Sequence, residues 1–132
     1  MHSIEIGSDL NNIPKVESLI DQVCDELSLS EDYYGNILIA VTEAVNNAII
    51  HGNKNEDSKI VKVDVAKNNS SLIFSVADQG EGFDFENLPD PTAPENLEKP
   101  DGRGIFLMKN LSDGVDFELN GSKVSITFAV NG

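Results

Sequence analysis

The stretch Thr42-Glu43-Ala44-Val45-Asn46-Asn47-Ala48-Ile49-Ile50-His51-Gly52 constrains this chain more than any other, because its residues divide by helical spacing onto two faces. Ile37, Val41, Ala44, Val45 and Ala48 make an apolar stripe. Glu43, Asn47 and His51, at i, i+4 and i+8, stack in one ridge beside it at about 3.6 residues per turn. The helix therefore has a core face and, next to it, a carboxylate in line with an amide. A lysine or arginine four residues after the glutamate would mark an ordinary solvated ridge, but Asn47 stands there. Two readings remain open at this point: exposed polar residues on a helix surface, or an acid and a neutral oxygen donor suited to proton abstraction beside a hard cation. His51 is accounted for by the helix dipole and a glycine C-cap at Gly52 unless other motifs converge on it.

A chain of 132 residues suits one domain, covering all of it, that buries about two-thirds of its unfolded surface. Nine basic residues against 23 acidic ones give a formal charge of −14, which disfavours a phosphate backbone and argues against nucleic acid as a partner. Cys24 is the only cysteine; lying on an apolar helical stripe, it reads as core filler and excludes an internal disulfide or a thiolate metal cluster. No charged-then-apolar leader opens the chain and no apolar run approaches about 20 residues. A cytoplasmic address without a membrane span is the expectation.

Along the chain, residues 2–6 alternate like a short strand, and Asn11 or Asn12 is placed to cap a helix with Pro14 in its first turn, ending near Leu29. Ser30 then caps a second helix, with Glu31 and Asp32 complementing its dipole, that runs to His51. Strand-like runs 60–66 and 72–77 flank the hairpin signal Lys67-Asn68-Asn69-Ser70-Ser71. A proline-bearing acidic segment, about 85–101, is long enough for a lid. Gly102-Arg103-Gly104 opens a short helix over 105–111, and strands 115–119 and 123–130, joined at Asn120-Gly121, close the chain. The order reads as α+β: a two-layer sandwich with helices on one face of a mostly antiparallel sheet.

Two further motifs carry chemistry. Asp78-Gln79-Gly80-Glu81-Gly82-Phe83 presents an acid at a strand end beside two glycines that let backbone approach a ligand; a glycine turn closed by an Asx bond is the alternative. Gly102-Arg103-Gly104 lies at a helix N-terminus, where free amides, the dipole and the charge of Arg103 or Lys99 would suit a phosphate. A flexible hinge is the alternative there. The Walker ending Gly-Lys-Ser/Thr and the parallel βαβ setting of a dinucleotide fingerprint are both missing.

As an ordered set these motifs resemble the Bergerat-type (GHKL) ATPase and kinase superfamily of DNA gyrase, MutL, histidine kinases and anti-sigma-factor serine kinases. Glu43 through Gly52 looks like its N-box, Asp78 through Phe83 like its first glycine box, and Gly102-Arg103-Gly104-Ile105-Phe106-Leu107-Met108 like its second. The length, the opening strand and helix, and the Ala-Ile-Ile-His-Gly ending are most similar to anti-sigma-factor serine/threonine kinases. The resemblance implies a Bergerat-type fold with a mixed sheet, ATP and Mg²⁺ as cofactors, Glu43 as general base, Asn47 as Mg²⁺ ligand, and Asp78 as acceptor of the adenine amino group. It places His51, Gly80, Gly82, Phe83, Lys99, Gly102, Arg103, Gly104 and Ile105 around the nucleotide. It also implies two protein partners: an antagonist phosphorylated on Ser or Thr, and a sigma factor held when ATP is bound; a homodimer is left open. Two departures stand out. Lys99-Pro100-Asp101 occupies the place of the arginine that well-known members carry before the second box, and Gly121-Ser122-Lys123-Val124 matches the usual Gly-Thr pair poorly. An ATP-gated binding module that transfers no phosphate is the alternative to a kinase; the presence of Glu43 favours the kinase. A part of a larger ATPase machine is disfavoured, as no transducer or histidine-bearing helix pair accompanies the domain.

Overall fold

The computed structural model describes residues 2–80, 100–118 and 122–130, with 100–103 described in backbone alone. Strand β1 (His2–Gly7) is followed by a 3₁₀ turn, Leu10–Asn12, whose cap is Asp9: its carboxylate accepts from the Asn11 amide at 2.9 Å. Helix α1 (Ile13–Glu26) starts with Pro14 in its first turn, where a missing N–H breaks no helical bond. Asn12 stands at the cap position without capping; its side-chain amide donates instead to the Gly7 carbonyl at 2.9 Å and ties α1 to the end of β1. The helix stops at Glu26 rather than near Leu29. Ser28 takes a left-handed conformation with φ 53°, and the Ser28 and Leu29 amides donate to the Asp25 and Cys24 carbonyls at 3.1 and 3.0 Å, the paired bonds of a Schellman ending.

Helix α2 (Glu31–Asn47) has Glu31 and Asp32 in its first turn, while Ser30 at its cap makes no side-chain cap bond. Beyond Asn47 the expected single helix changes type: Ala48–Gly52 is a π turn, closed by the Asn53 amide donating five residues back to the Ala48 carbonyl at 2.8 Å. The wider turn takes His51 off the α spacing that Glu43 and Asn47 keep. Lys54 and Asn55, with φ of 54° and 58°, then reverse the chain.

The sheet adds β2 (Ile60–Asn68), β3 (Ser71–Ala77), β4 (Gly114–Glu118) and β5 (Lys123–Ala129), in the order β1-β2-β3-β5-β4. Every described pairing is antiparallel, so the mixed component that the resemblance implied is not found among these strands. Helix α3 (Pro100–Leu111) precedes the edge strand β4, and β5 returns between β4 and β3. The β2–β3 turn is tighter than its signal suggested: Asn68 pairs with Ser71, leaving Asn69 and Ser70 as the loop, with Asn69 at φ 55°. Residues 119–121, and all but the last two of the lid segment 85–101, lie outside the described residues; Pro100 and Asp101 are helical.

Strand alternation sends one residue in two toward the helices. The register aligns Val63, Val76 and Val124 in one row and Val65, Phe74 and Ile126 in the next. All six are buried, as are Val16, Ile20 and Val23 of α1 and Ile37, Val41 and Val45 of α2. Phe74 and Phe128 meet edge to face with centroids 6.1 Å apart. Cys24 is a buried free thiol; burial, and secondarily the charge of Asp21, push its pKa up, as suits core filler. No described helix is long and apolar enough to cross a membrane.

Candidate functional site

The site is assembled where the C-terminal end of α2 meets the end of β3 and the start of α3. Helix α2 is locked by its buried stripe, so the orientation of its neighbouring ridge is set by core packing. Glu43 and Asn47 remain partly exposed on that ridge and converge on Gly104: a Cβ built there would lie 2.7 Å from Asn47 Nδ2 and 3.2 Å from Glu43 Oε2. The absence of a side chain at Gly104 is what lets α3 approach these two groups. That helix begins at Pro100, not at Ile105, so Gly102 and Gly104 lie inside its opening turns rather than ahead of it. Glycine within a helix costs about 1 kcal/mol against alanine, and for Gly104 the contact with Asn47 supplies the reason.

Asp78 follows β3 directly. Its backbone amide donates to the Ser122 carbonyl at 2.8 Å, and its Oδ1 accepts from the Gly80 amide at 2.8 Å. This is the Asx bond of the alternative reading, yet it uses one of about four acceptor positions on the carboxylate, leaving capacity for an amino group. A Cβ on Gly52 would overlap the Asp78 carboxylate, with Oδ1 at 2.7 Å, and a Cβ on Gly80 would collide with the Gly52 carbonyl. Gly52 thus lies within the π turn, and close approach of backbone to Asp78 accounts for it, where the sequence suggested a C-cap. Burial pushes the Asp78 carboxyl above its ordinary range, with the Gly80 amide and the charge of Lys59 acting in the opposite direction.

Sequence reasoning passed over Asn53, which lies between the expected end of the second helix at His51 and the strand-like run 60–66. Asn53 is fully buried; its Oδ1 accepts from the Gln79 amide at 2.7 Å, and its Nδ2 donates to Ser8 Oγ at 2.8 Å and the Ile60 carbonyl at 3.1 Å. Ser8 in turn donates to the Lys59 carbonyl at 2.7 Å, and Gln79 Oε1 accepts from the Ile60 amide at 2.6 Å. An asparagine immediately after a His-Gly helix ending was the only local signal, and nothing local gave it those distant partners.

The structure therefore forms two clusters, Glu43/Asn47/Gly104 and Asp78/Gly80/Gly52, with half-buried His51 in the π turn that leads from one to the other. Ile105 is core, 3% exposed. Gly82, Phe83 and Lys99 fall outside the described residues, and Gly102 and Arg103 are known as backbone in the first turn of α3. Among the described residues no group of three His, Cys, Asp or Glu side chains could hold a metal. A cation here would rest on Asn47 and on a ligand's own oxygens, the pattern that Mg²⁺ tolerates. At Gly104 and Gly52 the space a Cβ would need is taken by the Asn47 and Asp78 side chains, so both glycines serve the close approach of those groups.

A family model described as the histidine kinase-like ATPase domain matches residues 6–128. The chain is 28% identical over 131 residues to the anti-sigma F factor of Clostridium beijerinckii, covering 94% of this chain and 90% of that protein. It is 30% identical over 137 residues to the serine-protein kinase RsbW of Bacillus velezensis, covering 98% and 85%. Across relatives of these kinds the match runs from 63% to 90% of the relative's length. Among solved structures it is similar to the RsbU and RsbW domains of Rv1364c from Mycobacterium tuberculosis, with a TM-score of 0.62, 15% identity, and coverage of 99% of this chain and 32% of that one. That likeness concerns the fold.

Proposed function

The chain belongs to the histidine kinase-like ATPase domain family, and from that premise we propose that it is an ATP-dependent protein serine/threonine kinase of the anti-sigma type, which phosphorylates a small antagonist protein and sequesters a sigma factor. The observation that carries the reading is the convergence of Glu43 and Asn47 on Gly104, apart from Asp78 on Gly52. One cluster suits a phosphate and its cation, the other a base.

When bound, Mg-ATP supplies the phosphoryl group and the charge that balances it. Asn47 offers its amide oxygen to the cation, a hard donor for a hard ion. Glu43, one turn earlier, faces the same point and takes the proton of an incoming Ser or Thr hydroxyl onto its carboxylate. Asp78 accepts from the adenine amino group, and Gly52 and Gly80, lacking a Cβ, let the backbone close on that carboxylate and hold it in place. The first turn of α3 offers its amides to phosphate, with Arg103 or Lys99 adding charge in place of the arginine found elsewhere in the superfamily. The names of the relatives, an anti-sigma F factor and a serine-protein kinase, support this assignment. A sigma factor and its antagonist are cytoplasmic clients, so the reading carries a cytoplasmic address, and the strongly acidic chain is not proposed to bind nucleic acid.

The test is incubation with labelled ATP, Mg²⁺ and each candidate antagonist encoded beside the protein. Glu43→Ala should leave ATP affinity near wild type while phosphate transfer falls roughly 10²–10⁴-fold; Asn47→Ala should weaken Mg-ATP binding itself. If the wild type binds ATP and a client yet never phosphorylates an antagonist, and Glu43→Ala behaves identically, a nucleotide-gated binding module replaces the kinase.

A further inference from the structure

The described hydrogen bonds of the Asn53 side chain go to none of Glu43, Asn47 and Asp78, yet it is the most heavily committed buried polar side chain described, bonded to Gln79, Ser8 and Ile60 at once. Resting on the adenine role proposed for Asp78, we infer that Asn53 is a positioning residue that sets the base preference of the site by holding the Asp78–Gly80 turn from behind. Three successive amides of that turn are bonded. Asp78 donates to the Ser122 carbonyl and Gly80 to the Asp78 carboxylate, both within backbone or the turn itself. The Gln79 amide alone among the three goes to a distant side chain, Asn53 Oδ1 at 2.7 Å, a restraint on the middle of the turn that substituting Asn53 releases while Asp78 and Gln79 stay unchanged.

The orientation of the Asn53 amide is determined by its partners. Turned over, its NH₂ would face the Gln79 N–H and its oxygen the Ile60 carbonyl, two repulsive contacts in a buried place. The network also reaches through Ser8 Oγ to the Lys59 carbonyl, linking the end of β1 with the start of β2. The π turn is part of the same device, because the Asn53 backbone amide closes it on Ala48 and so presents the side chain toward Gln79. Selecting adenine requires the Asp78 carboxylate to stand at one place relative to the base plane, and a turn held at its middle residue keeps it there.

The test compares Asn53→Ala, Ser8→Ala and Asp78→Asn by calorimetric affinity for ATP and for GTP, with urea unfolding run alongside on the full chain. Ser8→Ala removes one Asn53 partner but leaves the Gln79 bond, so it reports the merely structural contribution. Asn53→Ala should lower the ATP-over-GTP preference about tenfold or more, while Ser8→Ala, though destabilised, keeps it within about threefold. A cooperatively folded Asn53→Ala with wild-type preference overturns the inference. Should Asn53→Ala show no cooperative unfolding, its affinities are read in sucrose at a concentration that restores a cooperative fold, where the preference should still fall and a wild-type preference overturns the inference. Asp78→Asn separates the two levels. A preference unchanged by Asp78→Asn defeats the adenine reading and the inference with it, whereas a preference lost in Asp78→Asn but kept in Asn53→Ala defeats the role of Asn53 alone.

Discussion

Gly104→Ala offers a perturbation whose effects on stability and on binding should come apart. The added methyl would stand 2.7 Å from Asn47 Nδ2, where carbon contacts are comfortable from about 3.5 Å, so the amide has to yield by roughly 0.8 Å. Asn47 is short and can do this only by leaving its rotamer, at about 0.5–1.5 kcal/mol. Against that, replacing a helical glycine by alanine gains about 1 kcal/mol. The two terms nearly cancel, and stability should stay within about 1 kcal/mol of wild type. Binding has no such compensation, because Mg²⁺ demands near-ideal octahedral distances, and an amide pushed aside by that much no longer serves it. A lost contact to a charged group, about 1.5–3 kcal/mol, corresponds to a roughly 10–150-fold weaker Mg-ATP complex. Calorimetry with ATP in Mg²⁺ and again in EDTA, with urea unfolding in parallel, separates the effects. The EDTA affinity should change less. Unchanged Mg-ATP affinity in a stably folded Gly104→Ala protein would refute the assignment of Asn47 to the metal.

Asp78→Asn bears on pH dependence: since burial raises the folded pKa of Asp78 above its ordinary 3.8, its charge costs folding stability above that raised value, and the cost disappears as pH falls through it toward 3.8. Wild type should therefore gain stability relative to Asp78→Asn on acidification through that window, as urea unfolding at successive pH values would show; a constant difference argues against a desolvated carboxylate. Phe74→Ala, removing a fully buried ring that packs edge to face on Phe128, should cost about 3–5 kcal/mol in chemical denaturation. Ser28→Gly relieves the left-handed residue at the end of α1 and should raise stability by roughly 0.5–1 kcal/mol, measured the same way; a loss would mean that Ser28 is held by more than backbone geometry.

Much of the architecture was legible because its signals are local. Alternation over 60–66 and 72–77 marks β2 and β3, the stripe Ile37-Val41-Ala44-Val45-Ala48 marks the buried face of α2, and Glu31 and Asp32 mark its start. These patterns follow from side-chain period and from which groups a helix end leaves unbonded, and both can be read within a turn or two of chain.

The local sequence was silent, or misleading, wherever the deciding partner lay far along the chain. The position of β5 between β3 and β4 depends on a pairing of Phe74 with Ile126, and no window of sequence contains both. The π turn after Asn47 follows the same logic: Asn53 must reach Ser8, Ile60 and Gln79 together, and an α-helical continuation to His51 would not deliver it there. Gly52, Gly80 and Gly104 were visible as glycines, but local rules explain glycine by turns and caps, whereas here the missing Cβ makes room for Asp78, the Gly52 carbonyl and Asn47. The sequence by itself determined where the acids, amides and glycines fall and which periods they follow, since those depend on composition and spacing. Tertiary structure decided what each glycine and each buried amide is for, because steric room and hydrogen-bond partners exist only once distant segments have come together.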